Sequence, residues 1–441
     1  MKRSRMTTFL LAFMTLFALT AGPLSAEQWP QWRGPRDNGI SAEKNIPIVW
    51  GEKDSGQMRN VAWRLPLPGA AGATPVVWND RIWLTSVDGR DLVLMCVSTA
   101  GKELWRRTVA TGNRSVRRDE GNMASPSPIT DGTHVWTTMA TGVIACFDVN
   151  GREIWKVNLD KRYGPLQIAF GMSSTPVLFK NRLYLQLIHG DGRAETHEAL
   201  VVALNAATGD EVWKVGRVTG AVSENEQSYA SPMIYNHDGA QFLLTHGGDF
   251  VIAHRLSDGG EIWRCGLNVH DNPRLPYHPT LRFVASPVTA RGIIVVPTAK
   301  NREVIALRPG FRGDITHNKA ARIWMRPRNT PDVPSPLVYG GLVYLCRENG
   351  NLICLDQKTG REVYQRMTHR QRHRASPVFI DGNLYLTARD GRISVVRAGR
   401  KFKLIAQNNL HEPISASPAV SNGTLYLRSF ETLWAIRKTG K

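Results

Sequence analysis

The chain has 441 residues, 42% of them hydrophobic, and carries 56 Lys and Arg against 37 Asp and Glu, a formal net charge of +19. Beyond the N-terminus no segment approaches the roughly 20 apolar residues of a membrane-spanning helix, so we predict no transmembrane helix. The five cysteines are an odd number without a C-x-x-C pair, which excludes a disulfide framework.

The chain opens with "MKRSRMTTFLLAFMTLFALTAGPLSA", in which basic residues precede a short apolar core and a run of small residues. This pattern predicts a signal peptide over residues 1–26, cleaved near Ala26, with no cysteine for a lipid anchor. We therefore expect an exported protein, periplasmic or extracellular. A basic exported chain first meets the anionic groups of envelope lipids and polysaccharides, so we expect these or an envelope protein as partners, and not nucleic acid.

Residues 27–59 form an extension that contains "WPQWRGP", and a repeat fills residues 60–441. Each repeat begins with Ser-Pro or Thr-Pro, followed by two or three apolar stretches of 4 to 7 residues separated by turn-formers. These lengths and boundaries favour strands over helices. The eight repeats start at Thr74, Ser127, Thr175, Ser231, Ser286, Ser335, Ser376 and Ser417.

A fourth stretch, G-x-E-[LIV]-[WY], closes most repeats. Four short antiparallel strands repeated eight times predict an all-β, eight-bladed β-propeller. The last repeat ends at Lys441 without room for a fourth strand, whereas "NVAWRLPLP" precedes the first repeat and resembles a closing strand. We therefore predict that this N-terminal strand completes the last blade. In the seventh repeat Leu404 stands where the aromatic residue is expected.

This pattern resembles the quinoprotein-type repeat of pyrroloquinoline quinone (PQQ) dehydrogenases and of the outer-membrane assembly propeller lipoprotein, and "WPQWRGPRDNGIS" resembles the start of exported PQQ-like propellers of planctomycete type. The resemblance implies that the recurring aromatic residue docks between neighbouring blades. The residues assigned this structural role are Trp63, Trp105, Trp155, Trp213, Trp263, Trp324 and Tyr364. We expect no cofactor. The alternative, which the resemblance implies, is PQQ and Ca²⁺ bound in the central funnel.

No catalytic or metal constellation emerges from the residues, so we predict neither. The chain lacks the adjacent cysteines of the dehydrogenases and an acidic calcium loop. His369 and His373 stand among three arginines, which would repel a metal ion, and His270 and His278 belong to a proline-rich loop. Serines before proline begin strands and are not on a nucleophile elbow.

Long insertions separate one repeat's closing strand from the next Ser-Pro, and they predict a loop-rich face at one end of the channel. We expect this face to bind its partner through Arg117, Arg118, Arg162, His189, Arg326, Arg328, Arg372 and Arg374. Arginine suits planar recognition of phosphate, sulfate and carboxylate. The leading hypothesis is a non-catalytic, monomeric, exported binding module for an envelope protein or an anionic glycan or lipid. The alternatives are a PQQ-dependent dehydrogenase of alcohols or sugars and a scaffold for outer-membrane protein assembly.

Overall fold

The structure, a computed structural model, describes residues 26–52, 58–116, 121–268 and 277–439. Apart from Ala26, the predicted signal peptide lies outside these residues. The described residues form eight blades of four antiparallel strands each, and the sheet of blade 4 carries a fifth, parallel strand. The two helical segments in these residues are each about a single turn. The predicted eight-bladed propeller is confirmed.

The elements begin with β1 (Gly51–Glu52), β2 (Met58–Arg59) and β3 (Val61–Pro66). Blade 1 contains β4 (Val76–Trp78), β5 (Arg81–Asp88), β6 (Asp91–Ser98) and β7 (Glu103–Thr111), and the pair β8 (Ser115–Val116) and β9 (Gly121–Asn122) follows. Blade 2 contains β10 (Ile129–Thr130), β11 (His134–Thr138), β12 (Val143–Asp148) and β13 (Glu153–Asn158), and helix α1 (Leu159–Tyr163) follows. Blade 3 contains β14 (Val177–Phe179), β15 (Arg182–Leu187), β16 (Leu200–Asn205) and β17 (Glu211–Gly216), and a 3₁₀ turn (Ser223–Glu226) follows.

Blade 4 contains β18 (Met233–His237), β19 (Ala240–Gly247), β20 (Phe250–His254) and β21 (Glu261–Gly266). Blade 5 contains β22 (Val288–Ala290), β23 (Ile293–Pro297), β24 (Val304–Leu307) and β26 (Arg322–Arg326), while β25 (Gly313–Asp314) pairs in parallel with β21. Blade 6 contains β27 (Leu337–Tyr339), β28 (Leu342–Cys346), β29 (Asn351–Asp356) and β30 (Glu362–Met367). Blade 7 contains β31 (Val378–Ile380), β32 (Asn383–Thr387), β33 (Arg392–Arg397) and β34 (Leu404–Asn409), and blade 8 contains β35 (Ala419–Ser421), β36 (Thr424–Arg428) and β37 (Thr432–Ile436).

The fourth strand of blade 8 is β3, which pairs antiparallel with β37. The predicted closure of the ring by an N-terminal strand is therefore confirmed. This closure joins the two ends of the chain without a covalent bond and leaves β37 with a partner on each side.

The hydrophobic core is divided among the spaces between neighbouring blades. One buried cluster joins blades 1 and 2, another joins blades 4 and 5, and a larger one joins blades 7, 8 and 1. The second and third strands of each blade are buried on both faces because blades stack on either side of them. All five cysteines are free and buried in these clusters or strands, as the absence of a disulfide framework predicts.

Candidate functional site

A funnel of about 610 Å³ opens at the loop-rich face, around the axis of the propeller. It is built by the segments that precede the first strand of each blade, because these segments converge on the axis from all sides. The residues contributed in order by the segments entering blades 1 to 8 are Gly72, Ser125, Ser173, Tyr229, Arg282, Asp332, Arg372 and Ser415. The segments that enter the eight blades thus surround one cavity.

Charged side chains cluster on the side of the funnel formed by blades 5 to 7. Arg282, Lys300, Arg372 and Arg374 supply positive charge, whereas Asp332 and Glu348 supply negative charge. Arg374 Nη1 lies 2.6 Å from Glu348 Oε1, and Asp332 Oδ1 accepts a hydrogen bond from the backbone N–H of Lys300 at 3.0 Å. The wall therefore carries an excess of positive charge.

The adjoining wall, next to Arg282, carries two aromatic rings. Phe170 and Tyr229 have ring centroids 5.8 Å apart, and the Arg282 guanidinium lies 5.4 Å from the centroid of Phe170. Arg282 also pairs with Glu224. A cation held over an aromatic face offers a ligand both charge and an apolar surface.

A closed ring of hydrogen bonds forms the floor of the funnel, and we call it the hydroxyl ring. The backbone N–H of the Ser or Thr that starts each repeat donates to the hydroxyl oxygen of the equivalent residue in the next blade. The bonds run Thr74 to Ser127 (2.9 Å), Ser127 to Thr175 (3.1 Å), Thr175 to Ser231 (3.0 Å), Ser231 to Ser286 (2.8 Å), Ser286 to Ser335 (2.9 Å), Ser335 to Ser376 (2.9 Å), Ser376 to Ser417 (3.0 Å) and Ser417 back to Thr74 (3.1 Å). All eight residues are buried.

Beyond the hydroxyl ring, residues 29–41 occupy the channel, and we call them the axial segment. Trp29 exchanges two backbone hydrogen bonds with Val77 of β4, and Phe379 of β31 donates to Gly39 O and accepts from Ser41 N–H. The buried Arg33 donates to Pro336 O at 2.8 Å. Since Val77 and Phe379 each lie three residues past the hydroxyl ring along a first strand, the axial segment lies on the side of the ring away from the funnel.

The arginines predicted to form a binding face separate into different places. Arg372 and Arg374 line the funnel. Arg162 donates to Gly209 O at 2.8 Å beside the turn before β17, and Arg326 pairs with Glu362 at 2.9 Å on the outer strand of blade 5. Arg328 is exposed next to Arg326, while Arg117 and Arg118 lie outside the described residues. The structure therefore brings only two of the predicted residues together around the funnel among those that it describes.

His189 is placed in a second, small cavity of about 30 Å³ in blade 3. Its Nδ1 accepts a hydrogen bond from the backbone N–H of Gln167 at 3.2 Å, and burial lowers the pKa of its imidazole. The other histidines make separate contacts. His369 Nε2 lies 2.7 Å from Asp390 Oδ2, and His373 Nδ1 lies 2.9 Å from Gln371 O.

The recurring aromatic residues lie between blades. Trp105 of blade 1 donates its indole N–H to Val149 O in blade 2, and Trp155 and Trp213 make the equivalent bonds to Ala206 O and Leu256 O. Trp63 and Trp324 donate to Thr99 O and Gln357 O. Trp263 and Tyr364 are buried in the same type of position. Their energetic importance stays a prediction.

Comparison with known proteins identifies the family. The family model described as "Outer membrane protein assembly factor BamB" matches residues 90–365 and 197–441. The chain belongs to the BamB family. The outer membrane protein assembly factor BamB of Yersinia pestis is 25% identical over 310 residues, which cover 69% of this chain and 71% of that protein.

Solved structures share the fold of this BamB-family chain at low sequence identity. A europium-containing methanol dehydrogenase has a TM-score of 0.67 at 13% identity, with 92% of this chain and 90% of that chain covered. BamB from Moraxella catarrhalis has a TM-score of 0.61 at 12% identity, with 86% and 100% covered. The predicted quinoprotein-type repeat is therefore confirmed at the level of fold. The planctomycete type of the N-terminal motif stays a prediction.

The funnel of this BamB-family chain is where the resemblance would place PQQ and Ca²⁺, so its donor set tests the fit. Calcium takes six to eight oxygen ligands, with carboxylates foremost among them. The described funnel wall offers Asp332 and Glu348, and Glu348 is already paired with Arg374. Four cationic side chains surround these two acids. The funnel residues therefore do not fit a calcium ion.

Sequence reasoning missed Arg282, Lys300, Asp332 and Glu348 as funnel residues. Lys300 and Glu348 follow the second strands of their blades in short polar turns, "AKNRE" and "RENGN", which read as ordinary hairpin connections. The hydroxyl ring, in contrast, is visible in the sequence, because all eight repeats have Ser or Thr before the proline.

Proposed function

We propose that this chain is a non-catalytic, exported propeller that binds a component of the cell envelope on its loop-rich face. The observation that carries the proposal is the funnel, which has a cationic wall, an aromatic wall and a floor closed by the hydroxyl ring and the axial segment. Because the floor is closed, a ligand group can enter the funnel only from the loop-rich face. Because the charged wall has an excess of positive charge, it favours an anionic group or an acidic protein loop as that ligand.

Membership in the BamB family favours one specific form of this proposal, a scaffold in the assembly of outer-membrane proteins. The alternative, a PQQ-dependent dehydrogenase, has the shared fold in its favour, and fold alone is a weak argument for activity. The poor fit of the funnel to calcium weighs against it.

The test is binding by the chain from Glu27 to Lys441, which contains every described strand. The probes are vesicles of zwitterionic lipid with and without an anionic lipid, and a sulfated polysaccharide on a column. We expect retention that decreases with salt, and we expect the double variant Arg372→Glu/Arg374→Glu to lose at least about tenfold in affinity, because charge reversal turns attraction into repulsion.

The matched control is Arg291→Glu/Arg400→Glu, which changes the net charge equally. Arg291 lies in the turn between the first two strands of blade 5 and Arg400 in the turn before the last strand of blade 7, so both belong to the face opposite the funnel. Equal losses in both double variants would reject the funnel as the binding site. Reduction of an artificial dye with PQQ, Ca²⁺ and a panel of alcohols and sugars would reject the non-catalytic role.

A further inference from the structure

Three acidic side chains outside the funnel converge on one point. Asp191 and Glu198 belong to the loop between β15 and β16 of blade 3, and Glu226 ends the 3₁₀ turn that leads to blade 4. One carboxylate oxygen of each lies within 4.8 Å of the others. Three carboxylates this close repel one another unless protons or a cation balance them.

The local backbone holds these three groups in place. Gly192 N–H donates to Glu226 Oε2, and Ser223 N–H donates to Gly192 O at 2.9 Å, so the two segments are tied together. Asp191 Oδ1 accepts hydrogen bonds from the backbone N–H of Arg193 at 2.9 Å and from Thr196 Oγ1 at 3.0 Å. A Cβ at Gly190 would lie 2.5 Å from Glu226 Oε2, so a larger residue at this position would displace the Glu226 carboxylate.

A second observation comes from His189, whose side chain is 96% buried. Because its Nδ1 accepts from Gln167 N–H, the neutral ring carries its proton on Nε2. This Nε2 has no hydrogen-bond partner within the described part of the chain. His189 lines the cavity of about 30 Å³ together with Glu198 and Glu226. The cavity thus joins a buried, unpartnered donor to two of the three carboxylates, and its volume suits about one water molecule.

The arginine that lines the small cavity makes its hydrogen bonds elsewhere. Arg217 also lines the small cavity, but its guanidinium donates to Thr245 Oγ1 at 2.8 Å, Gly247 O at 2.8 Å and Phe250 O at 2.9 Å. The three carboxylates are therefore not neutralised by a hydrogen-bonded arginine at this cavity.

We propose that Asp191, Glu198 and Glu226 bind one Ca²⁺ ion, with His189 Nε2–H donating to an oxygen of the ion's coordination shell. Carboxylate oxygens on loops suit calcium, which accepts irregular geometry, whereas Mg²⁺ demands a near-ideal octahedron and structural Zn²⁺ sites favour histidine and cysteine. Hydrogen bonds from surrounding groups orient carboxylate ligands, which is the part assigned to His189. The ion ties the loop of blade 3 to the entry of blade 4.

The site has a place on the loop-rich face but is independent of the proposed funnel ligand. Asp191 and Gly192 also line an open groove of about 750 Å³, together with Arg114 and Glu224. Calcium binding would therefore fix the shape of this groove. The funnel is lined by other residues, so the Arg372→Glu/Arg374→Glu experiment tests it independently of calcium binding.

The experiment is calorimetric titration of the chain from Glu27 to Lys441 with CaCl₂ after treatment with a chelator. We expect one ion per chain and a rise in melting temperature with calcium. Asp191→Asn and Glu226→Gln should each weaken calcium binding at least about tenfold. Asp191 is exposed, so its variant answers the question even if Glu226→Gln fails to fold.

Glu195→Gln is the matched control, since Glu195 is an exposed acid of the same loop and is not one of the three. It should bind calcium like the unaltered chain. His189→Phe should weaken binding about tenfold, since it removes the donor and retains a ring. The proposal is overturned if the folded chain shows no binding up to about 10 mM calcium, beyond the weakest natural sites. An equal loss in Glu195→Gln, an unchanged Asp191→Asn, or tighter binding of ZnCl₂ than of CaCl₂ would also overturn it.

Discussion

At the residue scale, the hydroxyl before each proline has a defined partner. Proline lacks an N–H, so the preceding Ser or Thr supplies the last backbone donor before the first strand, and that donor points to the next blade. The two threonines, Thr74 and Thr175, replace serine without breaking the ring, because the contact needs only a hydroxyl oxygen. The ring therefore links all eight blades at the axis.

Ser286 gives the sharpest test of the ring, because it is fully buried. Ser286→Ala removes the acceptor of the Ser231 N–H and leaves this buried donor without its partner. We expect a loss of about 1–3 kcal/mol in the free energy of unfolding, measured by chemical denaturation. Ser286→Thr keeps the hydroxyl and should lose much less. Equal stability of the Ala variant and the parent chain would show that the ring contributes nothing.

At the element scale, the closing strand of every blade pairs through a bulge, and in every blade except blade 7 it carries an aromatic residue. In blade 3 the pairing of β16 with β17 shifts register between Ala203 and Leu204, so that Ala203 faces Trp213. A bulge increases the local twist of the strand. The Trp213 ring then packs on Gly259 of blade 4, where a Cβ would lie 2.6 Å from the ring and where φ is +76°. Glycine satisfies both demands.

Trp213→Ala should therefore destabilise the propeller by about 3–5 kcal/mol, because a large aromatic contact between blades 3 and 4 is lost. Trp213→Phe separates packing from hydrogen bonding, since it retains a ring but loses the N–H bond to Leu256 O. In urea denaturation we expect the free energy of unfolding of Trp213→Phe to lie between those of the parent chain and of Trp213→Ala. A melting temperature of Trp213→Ala equal to that of the parent would contradict a docking role.

At the scale of the whole molecule, the repeat made the architecture predictable. The eight Ser-Pro or Thr-Pro starts and the G-x-E-x-[WY] endings specify strand number, strand order and even the strand missing from blade 8, because these depend on local sequence repeated along the chain. The eighth repeat has one strand too few and an extra strand precedes the first repeat, so counting the strands was enough to predict that β3 completes blade 8. The strand number and order were therefore predictable from the repetition of the pattern and not from any single motif.

The candidate sites were not predictable in the same way, since their residues do not repeat. Arg33 meets Pro336 across 303 positions, so the placement of the axial segment in the channel has no local signature. The funnel acids come from segments of different blades, and Glu226 meets Asp191 and Glu198 from a separate loop that follows blade 3, so neither cluster has a local signature. The excess of Lys and Arg over Asp and Glu is visible in the composition, whereas the pairing of Arg374 with Glu348 has no signal in the sequence.

Burial also fixes how the stability of the whole propeller depends on pH. Desolvation lowers the pKa of His246 to about 3 and those of His254 and His373 to about 4. Their pKa in the unfolded chain is near 6.5, so acidification protonates the unfolded chain first. The stability from these neutral histidines is complete above about pH 6.5 and is lost as pH falls toward 4. Burial of Asp37 acts in the opposite direction, because it raises the pKa of that carboxyl to about 7.

We expect the free energy of unfolding to fall by a few kcal/mol between pH 7.5 and pH 5, because each pKa unit of difference corresponds to about 1.4 kcal/mol and three histidines outweigh one aspartate. Urea denaturation at both pH values measures this loss. His254→Gln removes one of the three groups and should make the loss smaller, whereas Asp37→Asn removes the opposing group and should make it larger. If neither variant changes the difference between the two pH values, acid sensitivity comes from other groups, and the buried histidines do not set the pH range over which the ring of blades stays closed.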